Sequence, residues 1–448
     1  MHLVLKKQKI FFVTILLIVI IILSTILLIP SGSQQNTDPS VFVGVSYGGN
    51  SVSEAKQLVD KVKSYTNLFI LQSGNLQRNP DSIDEIGDYA IAAGLYFMPY
   101  FGYYVEESLS VWLDSAKQRW GDRMLGVYYR DELAGKLLDD YATFTNPVTG
   151  DTIRTTRYGD IVVEKTTGVT IHYELDGNIN MYEPISDSDG VYTTYYPNGT
   201  ITLQQSGVKA STTYNQLYAD RPFKNGDDVV KHFITRTEKE FTFLKNSSIV
   251  LSSDYALYWY DYKAGYDVVL TQLGWNLSLT QQISLCRGAA VTQKKDWGVI
   301  ITWKYTTPPY LASGDEIYNQ LKTSYECGAK YLLLFDLYED GSSNRYGTLK
   351  NEHFDALKRF WRDVVQNPNT VHGVIKADTV LILPMNFGGG LRWREDTVWG
   401  IFTHDETSGK IWDLTQTSLN TYGYTLDIVY DDPLYSLSPD YTTIIKFQ

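Results

Sequence analysis

From residue 41 onward, short β-branched and aromatic runs alternate with longer segments whose apolar residues recur every three or four positions. The run VFVGVSYGG (41–49) reads as a strand, and SEAKQLVDKVKSYT (53–66) as a helix with its leading Ser as N-cap. NLFILQS (67–73) is a second strand, and SIDEIGDYAIAAG (82–94) its helix, closed by Gly. LYFMPYFGYY (95–104) is the third strand, followed by a helical segment at 106–121, and MLGVYYRDE (124–132) is the fourth. After a long departure, a helix at 227–246 restores the rhythm, and SIVLSSDYALYWY (248–260) supplies strand five and a loop. Strand six (267–275), a helix (278–295), strand seven (298–310), a helix (315–328), strand eight (331–341) and a helix (350–366) complete the series. These strands show no polar face, as parallel strands covered on both sides should. Eight such units predict an α/β fold, a closed (β/α)8 TIM barrel over 41–367, with a doubly wound sheet as the alternative.

The departure at 141–225 is rich in Thr, Tyr, Gly and Asp and lacks helical periodicity. Its alternating runs DIVVEKTTGVTIHYELDG and GVYTTYYPNGTITL, broken by turn signals, predict a β-rich hairpin or meander inserted after strand four. A βα loop lies on the carboxyl side of a barrel, so Tyr192, Tyr195 and Tyr196 are expected to wall one side of a cleft there. Over 368–448 the pattern restarts: TVLILP, a helix at 409–423, LDIVYDDP and YTTIIKF predict a small accessory α/β domain. Its FGGGLRW (387–393) matches neither nucleotide-binding glycine spacing.

The first forty residues change the picture of where the protein works. Lys6, Lys7 and Lys9 precede an uncharged apolar run at 10–30, long enough to cross a bilayer. The basic flank predicts a cytoplasmic tail (1–9), a membrane-spanning signal-anchor (10–30), a linker (31–40) and an extracytoplasmic body; a cleaved signal peptide is the alternative. Three sequons, at Asn198, Asn246 and Asn276, agree with export. The formal net charge of −12 argues against a nucleic-acid partner. The two cysteines, Cys286 and Cys327, offer no metal spacing, and no metal or cofactor is expected; they are a disulfide or two buried thiols. Oligomeric state is not legible.

In a barrel the carboxyl ends of the strands form the active face. Strand four ends in Arg130, Asp131 and Glu132, where a partly desolvated carboxyl can be tuned for acid chemistry; a structural ion pair shaping the loop is the alternative. Strand periodicity points adjacent residues to opposite faces, so Asp131 and Glu132 are not both expected to face the centre. Strand eight offers Asp336, then Glu339 and Asp340; strand five offers Ser253 and Asp254, with Trp259 and Asp261 beyond. Tyr47, Gln72, Tyr100, Tyr103, Gln272, Trp275, Trp303 and Lys304 end other strands. Amides and carboxylates bond sugar hydroxyls, aromatic rings stack on sugar faces, and two carboxylates flank a scissile glycosidic bond, so a carbohydrate is the expected partner.

The acidic end of strand four, the β-rich insertion, Trp303 and the C-terminal α/β appendage together resemble the (β/α)8 glycoside hydrolase superfamily. The appendage is similar to the Rossmann-like, amidotransferase-like domain behind some such barrels. The resemblance implies glycoside hydrolysis with Glu132 at the acid/base position. It departs at strand seven, where many retaining families carry a Glu and this chain has Trp303 and Lys304, and at strand six, which ends in Gln272. A second acid then has to be Asp336, Asp254 or another loop residue. The competing expectation is a non-catalytic glycan-binding or cell-surface protein on a degenerate barrel; no G-x-S-x-G or H-E-x-x-H supports a serine or metallo hydrolase.

Overall fold

Strand one, Phe42–Tyr47, pairs in parallel with strand eight, Tyr331–Asp336, and that pairing closes a ring. Between them run strands two (Leu68–Leu71), three (Tyr96–Phe101), four (Val127–Tyr129), five (Val250–Asp254), six (Val268–Leu273) and seven (Asp296–Ile301), each beside its neighbour in sequence. The computed structural model describes residues 39–447 except 103–106, 140–141, 146–151, 157–158, 164–165, 175–178, 187–188, 197–199, 206–207, 214–224, 245–248, 337–343, 401 and 403. The closed barrel is thus the fold that the eightfold alternation predicts.

Two apolar layers hold it. Inside the ring, Phe42, Leu68, Ile70, Tyr96, Met98, Tyr128, Leu251, Val268, Leu270, Ile300, Tyr331 and Leu333 form one buried cluster. The alternate residues of the same strands, such as Val43, Val45, Phe69, Val269, Val299, Leu332 and Leu334, face the surrounding helices. Each such side chain contributes roughly 1.5–3 kcal/mol on burial. This double burial explains why the strands read as unbroken apolar runs.

The helices begin on side-chain caps. Ser51 caps Val52–Val62, two residues ahead of the expected Ser53, while Asn79, Ser278 and Ser313 cap Pro80–Ala92, Leu279–Gln293 and Gly314–Glu326. The stretch expected as a loop after strand five is instead a short buried helix, Tyr258–Ala264. The insertion is an antiparallel meander of eight strands from Ala142–Thr145 to Val208–Thr213, each paired with the next. In the C-terminal module, Thr379–Leu383 sits between Leu426–Tyr430 and Thr443–Lys446 in a parallel sheet, with the helix Glu406–Tyr422 against it. Cys286 and Cys327 are buried free thiols. Among the described residues no helix is long and apolar enough to cross a membrane; the expected anchor at 10–30 lies outside them.

Candidate active site

Strand four stops at Tyr129 because Arg130 is left-handed (φ 56°), and Glu132 is left-handed too (φ 58°). Two non-glycine residues in this region cost roughly 1–3 kcal/mol each, so the turn persists only because its surroundings dictate it. Arg130 N–H donates to the Phe101 carbonyl at 2.9 Å and Glu132 N–H to the Ser253 carbonyl at 2.8 Å. The hydroxyl of Ser252 donates to the Arg130 carbonyl at 3.2 Å. The break in the extended backbone cancels the alternation, and Asp131 and Glu132 both line one cavity at the barrel mouth. The expectation that only one would do so fails for this reason.

That cavity, about 180 Å³, is lined by Gln72, Asp131, Glu132, Ser253, Gln272, Trp275, Ile300, Thr302, Trp303 and Phe335. Half of them are reached by counting two residues on from the interior cluster: Ile70 to Gln72, Leu251 to Ser253, Leu270 to Gln272, Ile300 to Thr302, Leu333 to Phe335. Asp131 accepts from the Tyr128 hydroxyl at 2.6 Å and from Ser253, and the Gln72 amide lies at 3.4 Å. Burial, then the charge of Glu132, raises its pKa to about 6. Burial also holds the Tyr128 hydroxyl far above its usual value, so it stays a donor. Glu132 accepts from the Gln272 amide at 2.8 Å and faces Lys136 Nζ at 3.2 Å. Trp275, 45% exposed, stands 6.2 Å from Trp303, which in turn stands 5.4 Å from Tyr310. Three buried polar atoms of the lining, Gln72 Oε1, Thr302 Oγ1 and Trp303 Nε1, have no partner among the described residues. Groups so placed call for a polar ligand or water.

The other expected site residues lie elsewhere. Asp336 and Asp254 end their strands on the outer face, with Leu334 and Ser252, and both are buried. Asp336 accepts from Thr348 N–H at 3.2 Å, and burial raises it to about 8. Asp254 accepts four backbone N–H groups, from Ala134, Gly135, Tyr255 and Ala256. It is a positioning residue: its carboxylate clamps the chain immediately after Glu132. Burial raises it to about 7, and lifts its neighbour Asp261 well above the carboxylate range. Tyr47, also on the outer face, bonds the Ser51 backbone at the start of a helix. Trp259 is buried against Tyr430 and Tyr435 of the C-terminal module. Lys304 pairs with Glu316 at 2.7 Å beside a separate cavity, and Arg130 lies over the Tyr129 ring. Tyr100 packs edge-on against Tyr128 at 5.1 Å, below the lining. Tyr103, Glu339 and Asp340 fall outside the described residues.

No insertion residue lines the cavity among those described. Tyr192 is exposed and rests 4.6 Å from Tyr182 rather than walling a cleft. Sequence reasoning missed Thr302, Phe335, Tyr128 and Lys136; counting in twos from an apolar strand centre would have found the first two.

No protein-family model matches the chain, and no curated protein matches it. Among solved structures it is similar to GH5_18 from Streptomyces cattleya in complex with GlcNAc, at 9% identity over 91% of this chain and 98% of that one, with a TM-score of 0.48. It is also similar to the thiamine phosphate pyrophosphorylase from Pyrococcus furiosus, at 8% identity over 72% of this chain and 97% of that one, with a TM-score of 0.31. Such distant likenesses assign neither a substrate nor a residue's role.

Proposed function

We propose that this chain is a membrane-anchored, outward-facing glycoside hydrolase-like enzyme whose proton chemistry runs on Asp131 and Glu132. The observation that carries the reading is that two adjacent carboxyls converge on a small mouth cavity whose wall holds two tryptophans and three polar atoms unpaired among the described residues. Hydrogen bonds to sugar hydroxyls and stacking on a sugar face both have partners there. Burial, with the charge of Glu132 beside it, lets Asp131 keep its proton up to about pH 6. Asp131 is held by Tyr128 and Ser253, which leaves Glu132, bonded by the Gln272 amide and facing Lys136, as the acid for the leaving oxygen.

The test is turnover of aryl glycosides and binding to a glycan array by the full chain and by Glu132→Gln. Turnover is expected to fall by about 10²–10⁴-fold, the usual worth of a general acid, while glycan binding is retained. Unchanged turnover in the variant would remove Glu132 from the mechanism.

A second reading, a non-catalytic glycan-binding protein, is favoured by one observation. Among the described lining residues, no acid stands across the cavity from the pair. Array binding without turnover of any glycoside by the parent chain would select it.

A further inference from the structure

Behind the acid-bearing turn lies a second pair of carboxyls that the chemistry at the mouth does not use. Asp254 ends strand five, and Asp261 sits in the helix Tyr258–Ala264 that follows; both are fully buried. Asp254 accepts two N–H groups on each oxygen, from Tyr255 and Ala256 on Oδ1 and from Ala134 and Gly135 on Oδ2. Such a set of donors favours an ionised carboxylate. Asp261 has the opposite surroundings. Neither of its oxygens receives a hydrogen bond from a donor among the described residues. What its carboxyl meets at hydrogen-bonding distance is the Asp254 carboxyl, beside the Ala134 N–H that Asp254 already holds. Two ionised carboxylates in contact and out of water repel each other and lose their hydration together. A protonated carboxyl is a donor as well as an acceptor, so a single proton turns this contact into a hydrogen bond.

We propose that Asp254 and Asp261 hold one proton between them, with Asp261 the donor, and that Asp261 is thereby a positioning residue for the turn that carries Asp131 and Glu132. The inference concerns how that turn is held and stands apart from the hydrolase reading. Burial, followed by the charge of Asp254, lifts Asp261 well above the usual carboxylate range. The other ionisable groups around the pair do not offset this. Glu132 adds a further negative charge toward Asp254. Tyr255, Tyr258, Tyr262, Tyr266 and Cys286 are all raised by burial and stay neutral.

The turn needs this hold. Arg130 and Glu132 are left-handed, and Asp254 grips the chain immediately beyond them at Ala134 and Gly135. The helix that carries Asp261 is buried along nearly its whole length, which makes it a fixed post. From that post the proton of Asp261 secures Asp254 against the strand end. Without it, the charge of Asp261 would push Asp254 away from the N–H groups it clamps. The shared proton also accounts for a buried acid with no donor of its own.

The experiment uses the full chain, Asp261→Asn and Asp261→Ala at neutral pH, with two readouts. The first is the infrared difference spectrum between the parent and Asp261→Asn. It is expected to show the C=O stretch of a protonated carboxyl in the parent that the variant lacks; a difference spectrum with only ionised-carboxylate bands would overturn the shared proton. The second is amide hydrogen exchange over residues 130–138, with strand two (Leu68–Leu71) as internal reference. Asn cannot titrate but keeps an N–H to donate to Asp254, so Asp261→Asn should hold the turn's protection within about threefold of the parent. Asp261→Ala should lower it by more than about tenfold while the reference strand is unchanged. Equal protection in Asp261→Ala and the parent, or a loss in Asp261→Asn as large as in Asp261→Ala, would overturn the positioning role. Should Asp261→Ala fail to fold, Asp261→Leu, apolar and closer in size, takes its place with the same expectation. Neither readout needs turnover, so an inert parent chain would count against the hydrolase reading alone.

Discussion

At the scale of single residues, the deciding variable was which face of a strand a side chain takes. Asp336 and Asp254 each end a strand, yet both point outward into the helix layer, while Phe335 and Ser253 beside them line the cavity. This was not legible because strands buried on both sides show no polar alternation from which to read the inward face. Nor does any composition signal a left-handed Arg130 or Glu132, the reason both acids share the mouth. What was legible is which strand ends reach the barrel mouth: Glu132, Gln72, Gln272, Trp275 and Trp303 all line the cavity there. The outward acids have a testable consequence. An unfolded Asp titrates near 3.9, and native Asp336 near 8, so the native state holds the extra proton between those values. Its contribution to stability is therefore full below pH 4 and is lost as pH rises toward 8, at up to about 1.4 kcal/mol per pH unit. Urea midpoints at pH 5 and pH 8 should diverge less in Asp336→Asn than in the parent chain. An identical pH dependence in the two would show that Asp336 is not held protonated.

At the scale of elements, the turn after strand four is built by its neighbours. Asp254 of strand five accepts the Ala134 and Gly135 N–H groups at 3.0 and 2.9 Å, and a Cβ on Gly135 would sit 2.0 Å from Asp254 Oδ1. Gly135→Ala must therefore move either the clamp or the loop. We expect cooperative unfolding to persist in that variant while the Glu132-dependent turnover drops by more than about tenfold, because a misplacement of about 1 Å costs catalysis far more than stability. Full activity in Gly135→Ala would mean that the clamp does not set the acid's position. The insertion behaves as a separate element: its eight strands hydrogen-bond to one another in sequence. Its β character and place after strand four were readable from alternation and turn residues, but its contribution to the cleft was not, since an antiparallel meander with its own ladder can stand clear of the barrel. Replacing 142–213 with a short flexible linker should leave the barrel's melting temperature within a few degrees. A barrel that no longer folds would make the meander part of the core.

At the scale of the whole molecule, barrel and C-terminal module form one compact unit over Val41–Gln448. The joint is the helix Leu279–Gln293 laid on the strand Leu426–Tyr430, close enough that a Cβ on Gly288 would meet the Ile428 carbonyl at 2.6 Å. At its centre Arg287 pairs with Asp427 at 2.8 Å, both side chains at most 5% exposed, and also donates to the Tyr424 and Leu426 carbonyls. Tyr441 donates to the other oxygen of Asp427 at 2.7 Å. A second tie runs from Asp139, just beyond the acid-bearing turn, to Arg392 of the glycine-rich loop, which is held in turn by Asp396. The module's FGGGLRW segment, which matches no nucleotide-binding spacing, thus helps anchor the chain that follows the acid-bearing turn. Removing one member of a buried ion pair strands the other, typically at about 3–5 kcal/mol, whereas replacing the pair with apolar groups of similar size is close to neutral. Asp427→Ala should accordingly lower stability by about that amount, and the double change Arg287→Met with Asp427→Leu should recover much of the loss. Because the two parts share a core, each variant is expected to melt in a single transition. Two separate transitions would show that the module folds on its own and that the joint is a docking contact, in which case the tie from Arg392 to Asp139 could not be what holds the acid-bearing turn in place.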